Sequence, residues 1–410
     1  MNGFSLDIFK ERNALLIFSS QMISSVCDKM MSIGLIWYLM KNVDPNVVPW
    51  FLCISFLPHL IFSFISPKLI TKFKELNIIL FSEFFRGLIL VLFYWYLKNF
   101  SQENFLTILY VTIFLVGVGS SIFTPAILSI PPKLVSEEKV MKLNALIDSS
   151  MAISSILGAT FSVFILSWFD LKGLVLINAF SYFWALALQF FIVEKMSTDS
   201  PEVDQAMTHH QLKIGTVLNK YQDIKWMLFC FLLLNLILSP IFVLIPWYVD
   251  KIYQGSASDL SIIEGAMGLG AFLAGLYLSM KPSETDESGR GKIIAIVSLI
   301  FGFIFILFSL TTLSWQGALL IFLLGASVSF LNVHVLTYFQ TSLHESEVPV
   351  IMTAVNFIAN AAVPVSLFVS GFIFPLVKIQ SFTMVSGIVV LITAVFIPKI
   401  MDQRNLKNGN

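Results

Sequence analysis

Runs of about twenty apolar residues, each bounded by charges, Pro or Gly, follow one another along most of the chain. A run of that kind satisfies its own backbone as a helix and presents apolar side chains on every face. A chain built from such runs is therefore confined to a bilayer. They lie near 13–40, 47–67, 76–97, 104–128, 140–167, 172–193, 224–248, 259–280, 291–311, 315–340, 349–375 and 379–399. This predicts an all-α integral membrane protein of twelve transmembrane helices. With 57% hydrophobic and 12% charged residues, a soluble form would expose far more apolar surface than monomers carry.

The charge balance excludes some classes of function. The formal net charge is zero, so there is no basic excess to displace counterions from phosphates, and no nucleic-acid partner is expected. The opening "MNGFSLDIFKERN" is polar up to Asn13, and the apolar run after it is long enough to span. The first helix is thus expected to act as its own insertion signal rather than as a cleaved leader. Cys27, Cys53 and Cys230 fall in apolar runs without CxxC spacing, and the five histidines form no HExxH pattern. With no GxSxG or Walker sequence either, neither an enzyme, nor an ATP-driven pump, nor a bound metal or cofactor has local support.

Basic residues orient the spans. With both termini inside, that side holds Lys10, Arg12, Lys68, Lys72, Lys74, Lys133, Lys139, Lys142, Lys195, Lys213, Lys220, Lys225, Lys281, Arg290, Lys292, Lys399, Arg404 and Lys407. The opposite side holds Lys41, Lys98, Lys172, Lys251 and Lys378, while Lys29 and Arg86 stay within helices. Eighteen against five predicts cytoplasmic termini. The polar segment 194–223 divides six helices (1–193) from six (224–410) and is expected to be a cytoplasmic linker. Its second part spaces Leu212, Val217, Leu218, Tyr221 and Ile224 like an amphipathic surface helix. The halves also echo one another: an acidic loop, an early Asn and a later Gly recur at helices 5 and 11. Secondary transporters are often built this way.

Three stretches carry a more specific likeness. "FTPAILSIPPKLVSEEKVMKLNALI" (123–147) holds a Pro-Ala followed by Asn-Ala-Leu; 238–279 contains the Gly-rich, Glu-bearing "SIIEGAMGLGAFLAG"; and "YFQTSLHESEVPVIMTAVNFIANAAVPVSLFVSG" (338–371) patterns Gln, Asn and Pro around helix 11. In these the chain resembles the major facilitator superfamily, and within it the drug/proton antiporter branch with the macrolide-efflux proteins and the enterobactin exporter. Two departures stand out. The loop between helices 2 and 3, "SPKLITKFKELN", keeps Lys72 and Lys74 but lacks the family's Asp. Helix 5 reads "LGATFSVF", with Gly158 retained and Ala159 where the exporter motif has Pro.

Polar stripes mark the candidate site. Asn144, Asp148, Ser155, Gly158 and Ser162 share one face of helix 5, and Gln21, Ser25, Asp28 and Ser32 share one face of helix 1. An acid on such a stripe faces protein or water rather than lipid. The resemblance implies that helix 1 lines the central cavity and that helices 5 and 8 meet between the halves. Asp28, roughly 22 Å along its helix, is the first candidate for coupling to a proton, since a desolvated carboxyl can bind and release one as access alternates. Asp148, Glu264 and His59 are further proton-coupling candidates, either of the first two being alternatively a gate, and His59 could face Asn356 and Asn360 on helix 11. Asn235, Asn332, His334 and Gln340 are candidate substrate-facing groups. Glu83 and Arg86, three apart, can neutralise one another. Gly158, Gly265, Gly268, Gly270 and Gly275 are expected close-packing positions.

The resemblance implies a secondary exporter of an amphipathic small molecule, a drug or siderophore-like metabolite, coupled to protons. It is expected to be a monomer in a bacterial cytoplasmic membrane. A lysophospholipid translocator of the same superfamily is the alternative. A receptor or scaffold has no sizeable soluble domain here to carry a signal.

Overall fold

The computed structural model of the chain describes residues 8, 10–62, 73–100, 104–193, 214–280, 287–344 and 347–408, and among these every regular element is helical. α1 (Arg12–Asn42), α2 (Val48–Phe62), α3 (Glu75–Asn99) and α4 (Phe105–Ser129) open it. One helical stretch, Glu137–Phe190, breaks at Asp170, where φ is 57° and ψ −171°, a region that side chains rarely enter. Its arms, 137–169 and 171–190, are α5 and α6. After a short helix at Ile214–Lys220 come α7 (Gln222–Leu238, continued by Ile241–Trp247 beyond Pro240), α8 (Ala257–Met280) and α9 (Glu287–Ser309). α10 (Ser314–Thr341), α11 (Val348–Ile373) and α12 (Ile379–Asn408) complete the order.

Ten helices among the described residues are long and apolar enough to cross a membrane. The two predicted spans outside that set are α1 and α5. In α1 the length suffices, but Gln21, Asp28 and Lys29 lower the apolar content of its centre. In α5 the apolar stretch is Ile153–Ser162. Several ends also differ from the sequence expectation. α12 continues through Pro398 and past Lys399 to Asn408, with no Gly or Pro between Lys399 and Asn408. The predicted end of helix 2 at 67, and residues 194–213 of the linker, lie outside the described residues. Of the amphipathic segment, the described helix buries Val217 and leaves Thr216 and Asn219 exposed.

The chain divides into two compact units, Met1–Asp44 with Phe51–Gln205, and Pro45–Trp50 with Ala206–Asn410. In the first, α1 and α3 both pack on the α5–α6 stretch, and α3 also packs on α4. Gly158 sits at the crossing of α5 with α1: a Cβ there would lie 2.7 Å from both Val26 O and Lys29 Cβ. Ion pairs fasten the ends of these helices, Lys133 to Glu75 at 2.5 Å and Lys139 to Glu11 at 2.5 Å.

In the second unit α8 packs on α10, and α9 on α12 and α10. Trp50 belongs here, set edge-on against Phe368 and Phe372, while Trp247 Nε1 donates to Pro45 O. Lys220 pairs with Glu347 at 2.7 Å, which ties the short helix to the start of α11. Desolvation pushes the Glu347 carboxyl up, but the hydrogen bond from Lys220 leads the effects that leave it below the usual range.

The glycines of α8 divide differently from the sequence expectation. No atom lies within 4 Å of a Cβ built at Gly265, and at Gly275 the contact, Ser329 Oγ at 3.6 Å, is ordinary. Gly268 is half-buried. The tight positions are Gly270, whose Cβ would lie 2.0 Å from Phe322 O, and Gly325 on α10, whose Cβ would lie 2.1 Å from Met267 O. Two backbones meet there, and backbone cannot swing aside as a side chain can. Gly270→Ala is expected to cost about 1–3 kcal/mol by overpacking, read as a lowered midpoint of thermal unfolding in detergent. An unchanged midpoint would show that the two helices separate freely.

Candidate functional site

Asp28 on α1 lies in a cluster of charged and polar side chains inside the first unit. Its Oδ1 accepts from Asn178 Nδ2 at 3.0 Å and from the Tyr182 hydroxyl, and its Oδ2 lies 3.7 Å from Arg86 Nη1. On α3, Arg86 Nη2 lies 2.8 Å from Glu83 Oε2. The guanidinium is stacked between the rings of Phe123 and Tyr182, 4.5 and 4.3 Å from their centroids. Gln189 Nε2 donates to Glu83 Oε1 at 3.4 Å and to Ser20 Oγ at 3.1 Å. The expected local pairing of Glu83 with Arg86 is present, but it is one side of a larger arrangement that reaches Asp28.

Local helix geometry explains how the cluster assembles. Tyr182 and Gln189 follow Asn178 by four and eleven residues on α6, which places the three within about 40° of one line. Glu83 and Arg86 are one turn apart on α3. Gly119 on α4 leaves room for the stem of Arg86, since a Cβ there would lie 2.6 Å from its Cγ. His59 on α2 is within electrostatic reach of the same guanidinium.

The balance of charge matters more than any single bond. One guanidinium faces two carboxyl groups, so the cluster carries −1 when both are ionised and is neutral when one holds a proton. Arg86 and Glu83 are buried, with side chains 4% and 0% exposed, whereas the Asp28 side chain is 36% exposed. Buried charge is tolerated only where it is paired, so the neutral, singly protonated form fits this interior better.

A cavity of about 540 Å³, within the size range of small-molecule pockets, lies between α1 and α5, and the α1 residues that line it centre on the face away from Asp28. Its wall is apolar, formed by Phe18, Met22, Val26 and Met30 of α1 with Leu157 and Phe161 of α5. Cys27, next to Asp28 in sequence, also lines it. The charged cluster and the apolar pocket thus lie on different faces of α1.

The other candidates are placed as follows. Gln21 is buried on the Asp28 face, and Ser25 and Ser32 are half-buried. Asp148 falls on α5, and its side chain lies outside the described residues. Glu264 is buried on α8. In the second unit Asn235 and Asn332 line one cavity of about 50 Å³ with Leu234, Leu238 and Phe301. His334 hydrogen-bonds Phe330 O at 2.8 Å and stacks on the Phe330 ring, so the backbone of its own helix occupies Nδ1. Gln340 is exposed near the end of α10, and Asn356 and Asn360 are exposed on α11, the amide of Asn360 donating to Asn356 O. Sequence reasoning missed Asn178, Tyr182 and Gln189. Their common face on helix 6 was the available signal.

Ten helices of membrane-spanning length among the described residues define a multi-pass membrane protein. The chain belongs to the Major Facilitator Superfamily, which it matches over residues 17–367. It is thus a bilayer-embedded transporter of a small molecule. It is 20% identical over 400 residues to macrolide efflux protein A of Streptococcus pyogenes, covering 95% of this chain and 96% of that one. To the uncharacterized MFS-type transporter YvqJ of Bacillus subtilis (strain 168) it is 22% identical over 379 residues, 91% of this chain and 88% of that one. Among solved structures it is similar in fold to a mutant of the nucleoside transporter NupG, with a TM-score of 0.72 at 11% identity over 94% of this chain and 99% of that one. A bacterial homologue of the iron transporter ferroportin in its inward-facing state gives a TM-score of 0.70 at 15% identity, covering 95% of this chain and 98% of that one.

Proposed function

We propose that this protein exports an amphipathic small molecule, of the kind macrolides represent, in exchange for protons by alternating access. The observation that carries the reading is the pairing of one guanidinium with two carboxyl groups, one of them the partly exposed Asp28. Binding or release of one proton there switches the cluster between neutral and charged. A switch of that kind gives the two conformations different affinities for the proton, which is what coupling requires. The apolar cavity beside Cys27 suits the apolar body of such a substrate, and macrolide efflux protein A of Streptococcus pyogenes aligns over 95% of the chain.

In this reading Asp28 exchanges the proton, while Asp148 and Glu264 act as gates. Asn235 and Asn332 offer polar contacts from the second half, and the protein works as a monomer. Both termini face the cytoplasm of a bacterial cell. Cysteines introduced at each end are expected to resist an impermeant thiol reagent in intact cells; labelling of either from outside would overturn that orientation. The transport claim is tested in proteoliposomes with an imposed pH gradient. Macrolide accumulation that follows the sign of the gradient is expected. Movement of a lysophospholipid indifferent to the gradient, with no macrolide transport, would replace the reading with lipid translocation.

A further inference from the structure

Glu83 is the carboxyl that the transport reading leaves without a task. Its side chain is fully buried, while Asp28, across the same arginine, is 36% exposed. Polar atoms here are incompletely matched: the Gln189 amide that donates to Glu83 leaves its own Oε1 buried without a hydrogen-bond partner, as are Ser82 Oγ, next to Glu83 in sequence, and Gln21 Nε2, next to Ser20. Such groups are what a buried proton-holding site needs, since hydroxyls and amides can donate to or accept from either form of a carboxyl.

The way out of this pocket is one-sided. Toward the start of α1 it is closed by an apolar layer that includes Ala14, Ile17, Ile78, Ile79 and Phe123. At the ends of α1 and α6, Asn13 Nδ2 donates to Val193 O at 2.7 Å, holding the two helices together. The groups facing the pair are Arg86 from α3, Asn178, Tyr182 and Gln189 from α6, Ser20 from α1 through Gln189, and His59 from α2 within electrostatic reach. Across Arg86, Asp28 is the carboxyl of the pair with exposed surface.

We infer that Glu83 is a second proton-carrying carboxyl, placed in series behind Asp28: the proton rests on Glu83 while Asp28 is ionised and returns to Asp28 for release. This deepens the proton-exchange reading and rests on it for its role in transport. The step moves a proton only. An O–H bond at one carboxyl breaks as one forms at the other, with Arg86 neutralising whichever is ionised and no oxidant or reductant involved.

Infrared spectroscopy of the full-length protein in detergent tests the assignment without any substrate. At neutral pH the wild type is expected to show a protonated-carboxyl C=O band that shifts in heavy water. Glu83→Asp should move that band to a new frequency, and Asp28→Glu should leave its frequency in place. Because either remaining carboxylate is neutralised by Arg86, Glu83→Gln and Asp28→Asn should each remove it. Thermal unfolding of each variant identifies any that fails to fold, and the conservative pair carries the test in that case. Absence of the band from the wild type, or a band moved by Asp28→Glu and not by Glu83→Asp, overturns the assignment. In transport, Glu83→Gln is expected to flatten the pH dependence of export, and an unchanged pH profile counts against the inference. If wild-type transport ignores the pH gradient, the proton-exchange reading fails, while the infrared result still decides whether Glu83 holds a proton.

Discussion

Replacing Arg86 by Leu is expected to destabilise the protein by about 3–5 kcal/mol, because it leaves the buried Glu83 carboxyl without its cation and the partly exposed Asp28 with none beside it. Expression should fall and the thermal midpoint in detergent should drop. Arg86→Lys should recover part of the loss at most. A lysine supplies charge, but it lacks the planar fork that reaches both carboxyls and stacks between Phe123 and Tyr182. Combining Arg86→Leu with Glu83→Gln and Asp28→Asn should restore much of the stability, since no buried charge then remains unpaired. If Arg86→Leu alone is as stable as the wild type, the three charges do not form one electrostatic unit.

The second large effect concerns function. Asp28→Asn keeps the volume of the side chain and its capacity to hydrogen-bond Asn178 and Tyr182, but an amide cannot alternate between charged and neutral forms. Export driven by a pH gradient should be abolished, while exchange of substrate down its own gradient should survive. Under the proposed reading of Asp148 as a gate, Asp148→Asn should have the milder effect. The reverse ranking would move coupling to α5.

The helices were legible because a bilayer leaves the chain so few choices: an apolar run of spanning length bounded by charges reads as a helix whatever its neighbours do. The polar stripe on helix 1 was legible for the complementary reason, that an acid in such a run must be sheltered. What it meets was not. Asn178, Tyr182 and Gln189 are isolated polar residues in an apolar segment, and each alone reads as ordinary helix packing. Only the approach of α6 to α1 and α3 turns them into partners of Asp28 and Glu83. Glu83 and Arg86 illustrate the same limit, since a spacing of three residues explains their pairing completely and conceals a third member on another helix. The glycines of α8 fail differently. Gly265 and Gly270 are alike in sequence, and the direction from which α10 approaches makes one open and the other tight.

Proton movement during transport tests the central claim most directly. In sealed proteoliposomes carrying a pH-sensitive dye, with no gradient imposed at the start, adding a transported macrolide on one side should drive protons in the opposite direction, and Asp28→Asn should abolish that signal while substrate exchange continues. Substrate that crosses at the wild-type rate with no accompanying change in lumenal pH would contradict proton exchange.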